Sequence, residues 1–366
     1  MVKIPKTKID SFFENINKSQ AVYLPVEQEN GESDFKRWKK GLALSNALNT
    51  KRSAKDFFFP QTENLVEFKM DGKNIEVIDP RTEKEDFIVF GVRACDAKSF
   101  DILDRVFLVN PIDTYYKNRR EHGTVITLCC NETAKTCFCS LFGVKPAEPA
   151  GDVSSWNDND SFYFEANTEK GKKFIELVSK FSEIENATSS DAEKVNKIKA
   201  ATEKLMQTQP FAKQNISEFK EENLMKLFND PAWAKLSQSC LGCGTCTFVC
   251  PTCQCYDIRD FDTGHGVKRF RCWDSCMYSD FTKMAAANPR LTQLERFRQR
   301  FMHKLVYYPA KNEGIYGCVG CGRCLNKCPP GFSRAFFAVT ISVPATRAPV
   351  SVMPVSPYSP SAGMYV

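Results

Sequence analysis

Two stretches of this sequence place four cysteines at spacings that can wrap a metal cluster. Cys240, Cys243, Cys246 and Cys250 stand as C-x2-C-x2-C-x3-C before Pro251, and Cys318, Cys321, Cys324 and Cys328 repeat that spacing before Pro329. The interiors also match, as GCGTC and GCGRC. This is the bacterial ferredoxin run: three thiolates at intervals of three surround one [4Fe–4S] cubane, and the fourth is carried to the other cluster. That geometry assigns Cys240, Cys243, Cys246 and Cys328 to one cluster, and Cys250, Cys318, Cys321 and Cys324 to a second. Gly242, Gly244, Gly320 and Gly322 suit so tight a loop, because glycine takes positive φ without a Cβ clash. They also admit backbone N–H groups to the sulfurs. Structural zinc uses four cysteines too, but it pairs C-x2-C with a distant second pair.

Nine further cysteines bring the total to seventeen. Between the two runs lies a long insertion, Pro251 to Gly317, carrying Cys253 and Cys255 in CPTCQCYD and Cys272 and Cys276 in RCWDSC. These four make either another four-thiolate site or small apolar packing around the clusters. Near the N-terminus, Cys95 lies in GVRACD directly after an apolar run, and Cys129, Cys130, Cys137 and Cys139 lie in CCNETAKTCFC after another. Loops at the same end of adjacent strands bring Cys95, Cys130, Cys137 and Cys139 together, as a third iron–sulfur cluster, a zinc site, a reactive thiol or inert buried residues. Arg93 beside Cys95 is expected to favour a thiolate there.

Other chemistry is poorly represented. His122, His265 and His303 are the only histidines, which argues against imidazole acid–base work or a histidine-rich zinc site. No G-x-G-x-x-G follows a strand and no G-x4-G-K-[ST] is present, so no nicotinamide, flavin or nucleotide fingerprint belongs to this chain. Tyr115, Tyr116, Arg119 and Arg120 make an anion contact, a partner contact or a plain surface face.

The elements that must position these cysteines read as an α/β N-terminal domain followed by a mainly helical dicluster ferredoxin-like domain. Within residues 1–165, Asp86–Val92 and 123–128 read as strands and Ser99–Leu108 as a helix. Residues 166–220 form a Lys/Glu/Ala-rich helical connector with periodic stretches at Gly171–Phe181 and Asp191–Met206. Residues 221–336 hold the [4Fe–4S] module, with helices expected over 220–238 and Phe281–His303, the latter interrupted at Pro289. Residues 337–366 form an extended Pro-rich tail. No apolar stretch approaches the roughly 20 residues of a membrane span, and the charged start MVKIPKTKIDSFFENI has no signal-peptide core. The expected place is the cytoplasm, where thiols stay reduced and dense cysteine clusters bind metal. A net charge of +6 without a basic block gives no sign of nucleic-acid binding.

KDFFFPQTENLVEF (55–68), GVRACDAKSFDILDRVF (91–107), YYKNRRE (115–121), TCFC (136–139), CPTCQCYD (250–257), WDSC (273–276) and CVGCGRCLNKCP (318–329) together resemble a family. It is that of the beta subunits of cytoplasmic sulfhydrogenase-type nickel–iron hydrogenases and the related iron–sulfur subunits of anaerobic sulfite reductase. The resemblance covers residues 1 to about 335, and the Pro-rich tail departs from it. It implies an iron–sulfur electron-transfer component of a larger complex. Such a component would connect a flavin- and NAD(P)-binding subunit to a catalytic redox subunit of hydrogenase, sulfite reductase or disulfide reductase type. The alternative is a sulfur-compound reductase with its site at the N-terminal cysteines.

Overall fold

The computed structural model describes residues 1–331 except 83, 84 and 210; the Pro-rich tail and the last residues of the dicluster segment lie outside that range. Its strands are β1 (Val2–Pro5), β2 (Ala21–Glu27), β3 (Ser33–Arg37), β4 (Thr62–Asp71), β5 (Asn74–Ile78), β6 (Phe87–Val92), β7 (Gly123–Leu128), β8 (Val153–Asn157), β9 (Ser161–Ala166), β10 (Glu185–Asn186), β11 (Tyr256–Asp262) and β12 (Gly266–Trp273). The longer helices of the N-terminal part are α1 (Ile9–Asn17), α2 (Ala94–Phe107), α3 (Thr114–His122), α4 (Glu169–Val178) and α5 (Ser189–Met206).

Eight strands form one sheet in the order β10-β1-β9-β8-β7-β6-β2-β3, in which β2, β6, β7 and β8 run parallel. Parallel strands are covered on both faces, so β6 and β7 are almost continuously apolar. On one face Phe12, Phe13 and Ile16 of α1 and Phe174 of α4 pack against Phe90, Ile126 and Phe164. On the other, Phe100, Leu103 and Phe107 of α2 and Tyr116 of α3 pack against Val89, Val125 and Phe58. The carboxyl ends of β6 and β7 are therefore held rigidly between two apolar layers, and cysteines follow both strands within a few residues.

The insertion between the ferredoxin runs starts with a hairpin. β11 and β12 pair from Tyr256↔Trp273 to Asp262↔Val267, and β12 then pairs with β4 to complete a second sheet, β11-β12-β4-β5. A helix follows, but only from Gln293 to Met302. The Asn288–Pro289 stretch precedes it as bends, and a reciprocal cap between Thr292 and Glu295 sets the start. A π turn, His303–Tyr307, and a short α segment, Tyr308–Lys311, extend it. The remaining helical pieces are short: Leu224–Phe228, Ala232–Ser237, Thr245–Phe248 and Arg323–Asn326. Among the described residues no helix is long and apolar enough to cross a membrane.

The Tyr/Arg group of α3 is spent on internal contacts. Tyr116 donates to Asp104 at 2.7 Å, Arg120 pairs with the same carboxylate at 2.9 Å, and Arg119 reaches Glu63 at 2.8 Å. Buried Arg271 of β12 holds Glu63 at 2.7 Å and also pairs with Asp113. The second sheet is thus bolted to α3 by ion pairs on the buried Glu63 and Arg271, whose loss on one side leaves an uncompensated charge.

Helix α4 meets the sheet backbone to backbone at Gly171, where an added Cβ would lie 1.9 Å from the carbonyl oxygen of Asp152. Gly171→Ala is expected to destabilise the fold by about 1–3 kcal/mol through overpacking. A thermal melt of the variant beside the parent checks this, and an unchanged midpoint contradicts the close packing.

Candidate metal centre

The two ferredoxin loops have the same backbone. Gly242 and Gly320 adopt φ of +67° and +62°, and Gly244 and Gly322 adopt +74° and +76°. Each second glycine opens a four-residue helix, Thr245–Phe248 or Arg323–Asn326, and the two helices pack on each other. The turn aims the Gly242 N–H at Cys240 Sγ (3.5 Å) and the Gly320 N–H at Cys318 Sγ (3.4 Å). Side-chain amides add to these, since Gln293 Nε2 lies 3.1 Å from Cys240 Sγ. Glycine is required for space as well as angle: a Cβ on Gly320 would sit 2.4 Å from Phe138 O, and one on Gly322 2.3 Å from Thr136 O.

Cys250 lies near enough to Cys318, Cys321 and Cys324 for their charges to bear on one another, the grouping that the spacing assigns. Cys246 feels Cys324, Cys240 and Cys250 in the same way, and Cys243 is the exposed member of its run. Cys328 is half-buried. Burial pushes the enclosed thiols up, Cys246 to about 11 and Cys318 to about 12. Cys250 departs from them: the Cys253 thiol bonded to it, helped by Lys304 and Arg300, holds it well below the ordinary range.

Three cations are sealed in beside these sulfurs. Lys55, Arg300 and Lys304 are 1%, 5% and 6% exposed. Lys55 Nζ reaches Cys253 O at 3.0 Å and stands 3.5 Å from the centre of the Trp273 ring. Arg300 reaches Cys246 O at 2.8 Å and Cys253 Sγ at 3.5 Å. Lys304 holds Thr252 Oγ1 at 2.6 Å and Gly317 O at 3.0 Å. Among the described residues none of the three hydrogen-bonds a carboxylate. Burial opposes the charge on Lys304, yet Cys250 and Cys253 outweigh it and hold the ammonium above its usual value. Buried cations beside neutral thiols would be costly. Metal-bound thiolates, which carry net negative charge as a [4Fe–4S] centre, remove that cost. The residues therefore fit iron–sulfur clusters.

The N-terminal cysteines occupy the carboxyl ends of the parallel strands, where open α/β sheets place their sites. Cys95 stands in the first turn of α2 directly after β6, and Cys130 follows β7. Cys95, Cys130, Cys137 and Cys139 line one cavity together with Asn49, Met206, Gln209 and, notably, Cys321 of the second ferredoxin run. Phe138 N donates to Gly320 O at 3.0 Å, so this loop lies directly on that run. Gln209 Nε2 approaches Cys139 Sγ at 3.3 Å. Cys129 turns away to pack with Trp156 and Tyr163, its Sγ 3.2 Å from Thr202 Oγ1. Arg93 does not serve to favour a thiolate at Cys95. Arg93 spends its guanidinium on the carbonyls of Ala47, Leu48 and Cys129, while burial and Asp96 push the Cys95 thiol well up.

The cysteines of the insertion divide. Cys253 interacts with Cys250, and the free thiols of Cys255 and Cys276 interact with each other, which draws Cys255 down to about 7. Cys272 sits apart on β12 opposite Asp257, facing Arg259. Among the described residues no three His, Cys, Asp or Glu side chains close to the spacing of a single bound ion.

Lys55, Arg300, Lys304, Gln209 and Gln293 went unremarked in the sequence. Arg300 and Lys304 lie four residues apart in a charged helical stretch that reads as a solvent face, and Lys55 gave no signal beyond its place in KDFFF.

Arg323, inside the second run, pairs with buried Asp96 of α2 (Nη2 to Oδ2, 2.8 Å) and donates to Thr50 O at 2.9 Å. Asp96→Ala should cost about 3–5 kcal/mol by stranding a buried guanidinium, and adding Arg323→Met should restore a good part of it. Thermal melts of the single and double variants decide this; equal losses in both would refute the coupling.

The 4Fe-4S dicluster domain family matches residues 239–332, and that match implies iron–sulfur clusters. Over 332 residues, 90% of this chain and 94% of the relative, the sequence is 31% identical to sulfhydrogenase 2 subunit beta of Pyrococcus furiosus.

Proposed function

The chain belongs to the family of sulfhydrogenase beta subunits, and from that premise we propose that it is a relay of single electrons in a cytoplasmic complex. It exchanges them with a catalytic redox subunit of hydrogenase, sulfite reductase or disulfide reductase type on one side, and with a flavin- and NAD(P)-binding subunit on the other. Cys240, Cys243, Cys246 and Cys328 hold one [4Fe–4S] cluster, Cys250, Cys318, Cys321 and Cys324 a second, and Cys95, Cys130, Cys137 and Cys139 a third. Bound clusters of this kind gain and lose one electron at a time. The observation that carries the reading is Cys321, which belongs to the second run and also lines the N-terminal cavity, so that the cysteine groups adjoin.

The chain's own residues supply placement and electrostatics. Lys55, Arg300 and Lys304 offset buried negative charge, and Gln293, Gln209 and the glycine N–H groups point donors at sulfur. Both devices favour the more negative, reduced state of a bound centre.

Iron, zinc and acid-labile sulfide per chain test the assignment on anaerobically purified protein. The relay with three clusters predicts about twelve irons with matching sulfide, falling to about eight in Cys130→Ser/Cys137→Ser. About eight irons in the parent, with or without one zinc, removes the third cluster from the proposal.

Gln293→Leu deletes an N–H···S contact at Cys240. It is expected to lower the midpoint potential of one cluster signal in an EPR-monitored redox titration and leave the others in place. Unshifted signals would show that this amide does no tuning.

A further inference from the structure

We propose that Cys255 and Cys276 form a redox-active dithiol–disulfide pair, a site for two electrons beside the ferredoxin module. The hairpin β11–β12 creates it. The pairing Tyr256↔Trp273 closes the hairpin at its open end, so that Cys255 lies just before one strand and Cys276 three residues beyond the other. Asp274 N donates to Cys255 O at 3.0 Å, which continues the ladder by one rung. Ser275 then turns the chain: it is fully buried, its Oγ accepts from Met277 N at 3.2 Å, and it bonds Thr247 Oγ1 at 2.8 Å. The turn brings the Cys276 thiol toward that of Cys255, near enough for the two to interact.

Thr247 belongs to the short helix of the first ferredoxin loop, so the pair is mounted directly on that loop. Its neighbours decide what it is. Cys253, the third thiol, is engaged by Cys250 and by Arg300 Nη1 at 3.5 Å. Cys272 stands on β12 facing Arg259 and does not join. Two adjacent thiols on loops fixed by a ladder and a buried serine are the arrangement that a disulfide needs, because little movement is required to close it.

On oxidation Cys255–SH and Cys276–SH lose their S–H bonds, one S–S bond forms, and two protons and two electrons leave. The electrons pass singly to a one-electron acceptor of the ferredoxin or viologen class, and the reverse step takes them back. The pair would let this chain retain an electron pair beside centres that handle one at a time. Its existence does not depend on which partner subunits the chain has.

The experiment uses full-length, cluster-loaded protein purified without air. Samples poised over a range of potentials with viologen mediators are quenched by alkylation and mapped by mass spectrometry. The proposal predicts a Cys255–Cys276 disulfide in oxidised samples, two free alkylated thiols in reduced ones, and a single two-electron transition between them. Cys255→Ser and Cys276→Ser should each abolish that transition while iron and sulfide content stay at the parent value. Alkylation of both thiols at every potential overturns the proposal. So does loss of iron in Cys255→Ser with no disulfide in the parent, which would make Cys255 a cluster ligand.

Discussion

The structure depends on balancing charge where water is excluded. Arg300 and Lys304 bring two positive charges to a place where the counter-charges around them are sulfur, and Lys55, lowered by burial, sits among Cys253, Cys250 and Asp56. Neither side is stable by itself: the thiols of Cys246 and Cys318 are pushed to about 11 and 12 by burial, and the cations are costly to strip of water. Thiolates bound to iron would satisfy both requirements. Lys55 comes from the N-terminal part, which makes that part a contributor to the same balance.

A second constraint is closeness. The second ferredoxin loop lies so near the Thr136–Cys139 loop that no side chain fits at Gly320 or Gly322. Arg323, one residue further on, is locked to Asp96, which neighbours Cys95. Two cysteine groups far apart in sequence thereby share a wall, and Cys321 lines it. The α/β sheet supplies the framework for this arrangement. It offers rigid strand ends at β6 and β7 against which the ferredoxin loops can be pressed.

The parts legible in the sequence are those governed by local rules. The eight ferredoxin cysteines follow from spacing alone, and the apolar runs of β6 and β7 mark buried parallel strands. Helix α5 shows its period over Asp191–Met206. What did not show is long-range. The segment YDIRDFD of β11 alternates charge with apolar residues and gives no tight-turn pair, so its hairpin passed unnoticed where a helix was expected to dominate. Arg300 and Lys304 read as solvent-facing because their reason for burial, the sulfur around them, comes from other parts of the chain. Arg93 misled for the converse reason: adjacency in sequence to Cys95 is no guide to where a guanidinium points.

The second sheet has a bearing on how the chain is made. β4 and β5 emerge from the ribosome early, but their partner β12 is translated only after most of the N-terminal sheet, the connector and the first ferredoxin run. Until then β4 and β5 are a lone hairpin, a marginal structure in water, bearing Met70, Ile75 and Val77 on its surface and an unpaired edge at β4. A growing chain therefore carries a sticky, half-built element through much of its synthesis. Completion waits for a distant strand that lies between the two ferredoxin runs.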